Sequence, residues 1–250
     1  MFGTVALQLD GIPLDLATAR QESYPAPGEN PVVQPGTLTA DLVRRDFTIN
    51  AMAFDLVTGE LIDHHHGLDD LASGQLRFMH AGSVKDDPTR VIRAARYGAR
   101  LGFQLEADSV EQIRSTVALW PWAWRHGDAP LSAPSALGSR LRMELERLLE
   151  QEPWPQAFDF LEQWQALPLL DPQLQKDPRL MERMRWARRL GLPLMPALLL
   201  GAADPVAIAQ RLGIPGKQQQ WLQQCEVIRG WLTKTPPPLE ASPSFWSIAL

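Results

Sequence analysis

Hydrophobic and polar positions follow two different periods, one before and one after residue 86. In residues 2–16 apolar and polar residues alternate loosely, and Asp10-Gly11 separates the runs TVALQL and IPLDLA. Alternation around an Asp-Gly pair predicts a β-hairpin. Residues 23–37 contain four prolines and two glycines, so we expect a loop there. Residues 38–54 are again apolar-periodic, and a turn at Thr58-Gly59-Glu60 leads into a short predicted strand, LIDH.

From Asp86 onward the strand signals stop and apolar residues recur at helical spacing. The predicted helices cover residues 88–101, 109–119, 135–150, 154–166, 178–190, 205–212 and 217–231. A short sheet followed by an all-helical remainder belongs to the α+β class.

Composition narrows the function classes. The chain has 250 residues, 45% of them hydrophobic, which is enough to bury a core in one large domain or two modest ones. Its single cysteine, Cys225, excludes an internal disulfide and a CxxC zinc site, so we expect a reducing, cytoplasmic location. Neither a signal peptide nor a membrane-spanning run is evident. The net charge of −5 argues against a generally basic nucleic-acid binder, although local charge density decides phosphate binding.

The string RRDFTINAMA begins at Arg44 and carries adjacent charges beside apolar residues that would bury them. An isolated Arg-Arg-Asp tripeptide is most often a solvated cluster at a helix N-terminus, because burying unpaired charges is costly. The whole string, however, resembles the nucleotide-binding motif of the class II tRNA nucleotidyltransferases and bacterial poly(A) polymerases. That resemblance implies that Arg45 lies near the phosphates of the incoming nucleotide, with Asp46 and Asn50 near its sugar.

A second segment, KDDPTRVIRAARYGARLGF, places arginines three, three and four residues apart, on one face of a helix. Alone, such a stripe is typical of a solvated basic flank. It also resembles the EDxxR motif of the same family, with Asp86 in place of the usual glutamate. The resemblance implies that Asp87 and Arg90 contact the base and that Arg93 and Arg96 also bind the nucleotide.

A paired carboxylate and guanidinium suit cytosine and adenine, which both offer an exocyclic amino donor beside a ring-nitrogen acceptor. Asp87 would accept from the amino group and Arg90 would donate to the ring nitrogen, so we expect the Arg90 guanidinium to be exposed to the cleft. Uracil and guanine would leave donors facing donors, at about 1–3 kcal/mol for each mismatch. The predicted site therefore selects C and A without a template.

Asp15 lies mid-strand in GIPLDLATAR, which resembles the family strand that leads into a TxR element. A lone strand carboxylate is often only an edge or turn residue, but the resemblance implies a catalytic and metal-binding role for Asp15 beside Mg²⁺. The family's DxD pair is not found in residues 1–37. We therefore expect a chain truncated at its N-terminus, and also at its apolar C-terminus, that is inactive alone.

The resemblance implies three regions: a partial nucleotidyltransferase β-sheet head (1–75), a helical neck that binds base and RNA (76–150), and a helical body with tRNA contact (151–250). The expected activity is transfer of CMP or AMP from CTP or ATP to the 3′ end of tRNA. The alternatives are a non-catalytic RNA-binding remnant and a poly(A) polymerase. The loop YPAPGENP lacks the Asp and Arg common in CCA-adding members, which favours a partial specificity.

The body contains a second basic run, from Lys176 to Arg189, that could lie along a tRNA backbone or be an ordinary surface helix. We expect Trp154, Trp164 and Trp186 to be core residues rather than platforms for base stacking.

Overall fold

The computed structural model describes residues 3–119 and 135–234. Strands β1 (Thr4–Leu9) and β2 (Ile12–Ala17) form an antiparallel hairpin in which Leu9 lies opposite Ile12. Asp10 and Gly11, both at positive φ, make the turn. The predicted first hairpin is therefore confirmed, and the side chains of both its strands are exposed.

A second hairpin corrects the expectation of a loop over residues 23–37. Strand β3 (Arg20–Ser23) pairs antiparallel with β4 (Val32–Pro35), and only residues 24–31 connect them. Val32 and Val33 are β-branched and favour extended backbone, and Pro35 stands at the end of its strand, where a missing N–H is tolerated. Strand β4 was not predicted, because the four prolines of residues 23–37 indicated a loop.

Short elements follow between residues 38 and 86. Helix α1 (Leu38–Val43) is capped by the Thr37 side chain, and a 3-10 turn (Thr48–Asn50) precedes the antiparallel pair β5 (Ala53–Phe54) and β6 (Leu61–Ile62). This pair and its turn at Gly59 agree with the predicted turn and strand. Helices α2 (Gly67–Ser73) and α3 (Ser83–Asp86) were not predicted, because each is too short to show a helical period.

Gly67 lets helix α2 approach the 3-10 turn closely. A Cβ at this position would lie 2.9 Å from Met52 Cγ and closer still to the carbonyl oxygen of Thr48. We expect Gly67→Ala to lower the free energy of unfolding by about 1–3 kcal/mol, measured by urea denaturation, because backbone must shift. The control is Gly216→Ala, where a Cβ meets nothing within 4 Å. Equal stability of the two variants would contradict the close approach.

The remaining helices confirm all seven predicted helical windows and add one. They are α4 (Thr89–Leu101), α5 (Ala107–Leu119), α6 (Ser135–Gln151), α7 (Trp154–Gln163), α8 (Leu180–Arg189), α9 (Leu194–Leu199), α10 (Pro205–Arg211) and α11 (Gly216–Lys234). Helix α9 was missed because Pro196 interrupts a continuous apolar run. A two-residue parallel pair, β7 (Gln75–Leu76) with β8 (Gln104–Leu105), corrects the expectation that strands end before residue 86.

One cluster of buried side chains runs from Phe47 through α4, α6 and α7 to Leu222 of α11. Helix α4 packs against α6 and α7 through small residues, and its Gly98 lies against Phe160. The fold is α+β, as predicted. The predicted divisions at residues 75/76 and 150/151 stay predictions. Among the described helices, none is long and apolar enough to cross a membrane.

The three tryptophans named above differ in burial. Trp154 and Trp164 are buried in the core, as predicted. Trp186 is 50% exposed, and the guanidinium of Arg189 lies 5.2 Å from the centre of its ring. The expectation that Trp186 is a core residue is therefore wrong, because it lies on the outward face of α8.

Candidate functional site

A cavity of about 650 Å³ opens between the segment that follows α1, the start of α4, and α6. Its walls are strongly charged. Six residues predicted from the two motifs line it together: Arg45, Asp46, Asn50, Asp87, Arg90 and Arg93. The other lining residues include Arg20, Glu22, Tyr24, Arg44, Tyr97, Arg140 and Glu144. The fold thus joins two segments that are about forty residues apart in sequence.

Asp46 is buried and fixes the first motif against helix α4. Its Oδ1 accepts hydrogen bonds from the backbone N–H of Phe47 and from Asn50 Nδ2, both at 2.9 Å. Its Oδ2 accepts from Arg93 Nε at 2.7 Å. Burial works to lower the pKa of Arg93, but Asp46 and Glu144 outweigh it and raise that pKa. Asp46 therefore holds both Asn50 and Arg93 in place on the cavity wall.

Asp41 organises the arginine pair of the first motif. Its carboxylate accepts from Arg44 Nη2 and from Arg45 Nη2, each at 2.7 Å, and from the backbone N–H of Arg20 at 3.1 Å. Burial alone would raise the pKa of Asp41, yet these donors hold it below its usual value. Arg45 stays 44% exposed at the side chain. Asp41 was not predicted as a site residue, because its contacts with Arg20, Arg44 and Arg45 form only in the folded chain.

The Arg90 guanidinium is buried rather than exposed to the cleft, which corrects the expectation above. Arg90 is 4% exposed, its Nη1 donates to Ser83 Oγ, and its Nη2 donates to the carbonyl oxygen of Arg44 at 2.9 Å. The start of helix α4 packs against the end of α1, so the Arg90 side chain reaches the carbonyl oxygen of Arg44 and donates a hydrogen bond to it. Arg90 forms part of the wall and joins the two motifs.

Asp87 lies two residues before the first residue of α4, and its carboxylate faces helix α6. Its Oδ1 accepts from the backbone N–H and the hydroxyl of Thr89, at 3.1 and 2.7 Å. The same oxygen lies 3.1 Å from Arg140 Nη1 of α6. Arg140 was not among the predicted site residues. The segment from Ser139 to Leu145 resembles a neck element of the family near the nucleotide site, but the sequence does not show which of its side chains contacts the second motif.

Arg96 does not line the cavity. Its buried guanidinium donates from Nη1 to Glu144 and from Nη2 to Glu152 at 3.1 Å, and Arg100 Nε donates to Glu152 at 2.9 Å. The arginine stripe of α4 is thus an ion-paired face, neither solvated nor wholly directed at a ligand. The acids that pair with it lie more than forty residues away, Asp46 before α4 and Glu144 and Glu152 after it, so sequence spacing could not reveal them.

Asp15 stands apart from the cavity, on the exposed hairpin strand β2 opposite Ala6. Within residues 3–119 and 135–234, no group of three or more His, Cys, Asp or Glu side chains is placed to hold a metal ion. The described residues therefore do not fit the magnesium site that the resemblance implied for Asp15.

Comparison with known proteins agrees with the motifs. Residues 1–77 match the model of the Poly A polymerase head domain. The CC-adding tRNA nucleotidyltransferase of Deinococcus radiodurans is 37% identical over 213 residues, which are 82% of this chain and 52% of that protein. The A-adding enzyme of Aquifex aeolicus is 44% identical over 121 residues, 47% of this chain and 15% of that protein. The chain belongs to the class II tRNA nucleotidyltransferase family.

A solved structure supports the same assignment. The chain superposes on a CCA-adding enzyme in its apo form with a TM-score of 0.69 and 27% identity, covering 95% of this chain and 59% of that one. The family resemblance read from RRDFTINAMA and DDPTR is therefore confirmed. The chain spans about half the length of the Deinococcus relative and less of the Aquifex one.

Proposed function

We propose that the protein transfers CMP, AMP or both from CTP or ATP to the 3′ end of tRNA, in the cytoplasm, and that this chain holds and selects the nucleotide. The observation that carries the proposal is the single cavity that unites the two motifs, with six of their residues on its walls. The names of the relatives, an A-adding and a CC-adding tRNA nucleotidyltransferase, support the substrate class.

The cavity offers separate places for the parts of a nucleotide. The half-exposed guanidinium of Arg45 is suited to phosphate oxygens, which form strong charge-assisted bonds with arginine. Arg93 and Asn50, both held by Asp46, lie where a sugar hydroxyl would find donors. The carboxylate of Asp87 can accept from the exocyclic amino group of cytosine or adenine. Arg90 holds the two motifs together in this wall through its hydrogen bonds to Ser83 and to the Arg44 carbonyl oxygen.

Magnesium belongs to the proposal only through the family resemblance. In this family a divalent cation would stabilise the triphosphate and activate the attacking hydroxyl. The described residues do not provide ligands that fit it. The roles proposed for this chain are therefore binding, orientation and base selection, and none depends on a bound metal.

The body offers a surface for the tRNA partner. Helix α8 and the segment before it expose Lys176, Arg179, Arg185, Arg188 and Arg189, against one exposed acid, Glu182. Arg183 is excluded from this surface because it is paired with Asp177 at 2.7 Å. Exposed Trp186 lies among these cations. Phosphate-binding cations with an accessible aromatic ring are typical of RNA-contacting surfaces.

We expect the double variant Arg188→Ala/Arg189→Ala to bind tRNA about tenfold more weakly at 100 mM salt. The slope of log affinity against log salt should fall by about 1–2, since each lost phosphate contact removes about one unit. The control is Lys217→Ala/Lys234→Ala on helix α11, which removes the same charge elsewhere. Filter binding at several salt concentrations measures both. Equal losses in the two variants would contradict a specific contact on α8.

The specificity within the family has two candidates. The 24–31 loop, without the Asp and Arg common in CCA-adding members, supports a CC-adding or A-adding enzyme. The match to a Poly A polymerase head domain supports poly(A) addition as the second candidate. A non-catalytic RNA-binding remnant would bind tRNA and transfer nothing.

The test is nucleotide transfer by the intact protein to tRNA transcripts that end before CCA, after C, and after CC. CTP and ATP are supplied separately with Mg²⁺, and products are separated on a gel. We expect one to three labelled C or A residues at one or more of these ends. Long A tails on any RNA would identify a poly(A) polymerase. No transfer to any end would overturn the proposed activity.

A further inference from the structure

Trp186 of helix α8 places an aromatic ring on the surface of the body. Among the five tryptophans in the described part of the chain, it is the one that is exposed, by 50%. Rings of this size usually contribute their large apolar area to a core. We propose that Trp186 is a platform on which an unpaired base of the RNA partner stacks. The inference rests on the proposed function and names the feature of the RNA that the body surface recognises.

The Trp186 ring is restrained by Arg189. Arg189 follows three residues later on α8, so both side chains lie on one face of the helix. The Arg189 guanidinium lies 5.2 Å from the centre of the ring, within the range of a cation–π contact. Because the ring is already restrained while half of it stays exposed, a base that stacks on it costs little conformational entropy.

The charges around the ring suit a polyanion. Within residues 3–119 and 135–234, Arg185, Arg188 and Arg189 form no ion pair with an acid, in contrast to the ion-paired arginines of α4. Guanidinium groups without an acid partner are available to phosphate oxygens. RNA offers both of the groups that this surface complements, phosphates for the cations and bases for the ring.

Helix structure alone explains the cations but not the ring. Arg188 and Arg189 lie in the last turn of α8, where positive charge interacts favourably with the helix dipole. No such reason applies to an exposed tryptophan. An aromatic ring beside cations is the combination by which proteins bind unpaired bases. Leu190, 64% exposed and four residues after Trp186, would add to contact with an apolar protein but not to stacking. It therefore separates the two kinds of partner.

The experiment measures the binding of fluorescently labelled tRNA at several salt concentrations by anisotropy. We expect Trp186→Ala to weaken binding about tenfold, in line with one lost stacked base. The slope of log affinity against log salt should not change, because stacking releases no counterions. Trp186→Phe keeps a ring and should retain most of the affinity. The control is Leu190→Ala, which removes an exposed apolar side chain from the same helix face and should change affinity less than about twofold.

A second arm uses single-stranded oligoadenylate and a fully paired RNA duplex as ligands. Bases in the single strand are accessible to the ring, whereas those in the duplex are already stacked and paired. The loss caused by Trp186→Ala should therefore appear with oligoadenylate and not with the duplex.

Each other outcome has a definite meaning. If the wild-type chain binds tRNA and Trp186→Ala binds it equally well, the inference fails and the proposed function stands. An equal loss with the duplex, an equal loss in Leu190→Ala, or a smaller salt slope in Trp186→Ala also overturns it, the last because the ring would then only position Arg189. If Trp186→Ala does not fold by circular dichroism, Trp186→Leu decides in the same way. No tRNA binding by the wild-type chain would overturn the proposed tRNA partner and this inference with it.

Discussion

Replacing Glu152 by alanine is expected to lower the free energy of unfolding by about 3–5 kcal/mol, because it leaves a buried charge without its partner. The Glu152 side chain is 1% exposed and accepts from Arg96 and Arg100. Arg96 would keep only Glu144, and its Nε already has no acceptor among the described residues. Urea denaturation followed by circular dichroism measures the change.

The matched control is Glu150→Ala, an exposed acid two residues earlier, which should change stability by less than about 0.5 kcal/mol. The effect should also depend on pH. Burial works to raise the pKa of Glu152, but Arg100 and Arg96 hold it below its ordinary value of 4.5. Its stabilisation is therefore complete above about pH 4.5 and lost as the pH falls through the lower folded pKa, so the two curves should converge in acid. A loss below about 1 kcal/mol at pH 7 would refute the pairing.

Arg45→Ala is expected to raise the dissociation constant for CTP by about 10- to 100-fold, the equivalent of about 1.5–3 kcal/mol for a charge-assisted phosphate contact. The reason is its position on the cavity wall with the guanidinium half exposed, anchored by Asp41 at 2.7 Å. Binding of cytidine, which has no phosphate, should change less than about threefold. The pair of ligands separates a phosphate contact from a general disturbance of the site.

Arg77 provides the control for Arg45. Its side chain is 45% exposed, it is paired with Asp70 in a similar way, and it lies outside the cavity. Arg77→Ala should therefore leave CTP affinity unchanged. Equal weakening of CTP and cytidine by Arg45→Ala would contradict its assignment to phosphate.

Buried ion pairs connect the candidate site with the helical body. Asp46 binds Arg93, whose Nη1 lies 3.5 Å from Glu144, and Glu144 binds Arg96, which shares Glu152 with Arg100. These linked ion pairs allow few other arrangements of the side chains, since breaking any pair leaves a buried charge without a partner. We infer that the ion pairs keep helix α4 and the first motif in one fixed relation.

What the sequence revealed was local. Helical spacing located α4, α6 and α11, and the Asp10-Gly11 turn located the first hairpin, because both signals lie within a few residues. Strand β4 was missed because prolines around Val32 and Val33 resemble a loop, and their effect depends on which N–H groups face the partner strand.

The candidate site likewise contains residues that the sequence predicted and contacts that only the fold shows. A ten-residue string predicted Arg45, Asp46 and Asn50 as site residues without knowledge of the fold, and all three line the cavity. Whether an arginine of α4 lines the cavity depends on the acid that pairs with it. Arg93 pairs with Asp46 at the cavity, whereas Arg96 pairs with Glu152 in the core. The contact between Arg140 and Asp87 became visible only in the folded chain. Spacing predicts which residues share a helix face, but not what that face contacts.

Base selection by the wild-type chain tests whether this cavity holds and selects a nucleotide. Titration calorimetry with CTP, ATP, UTP and GTP gives four dissociation constants under one condition. We expect CTP, ATP or both to bind at least about tenfold more tightly than UTP and GTP, since a mismatched base leaves Asp87 facing a carbonyl oxygen. Equal affinities for all four, or no binding of any, would contradict it.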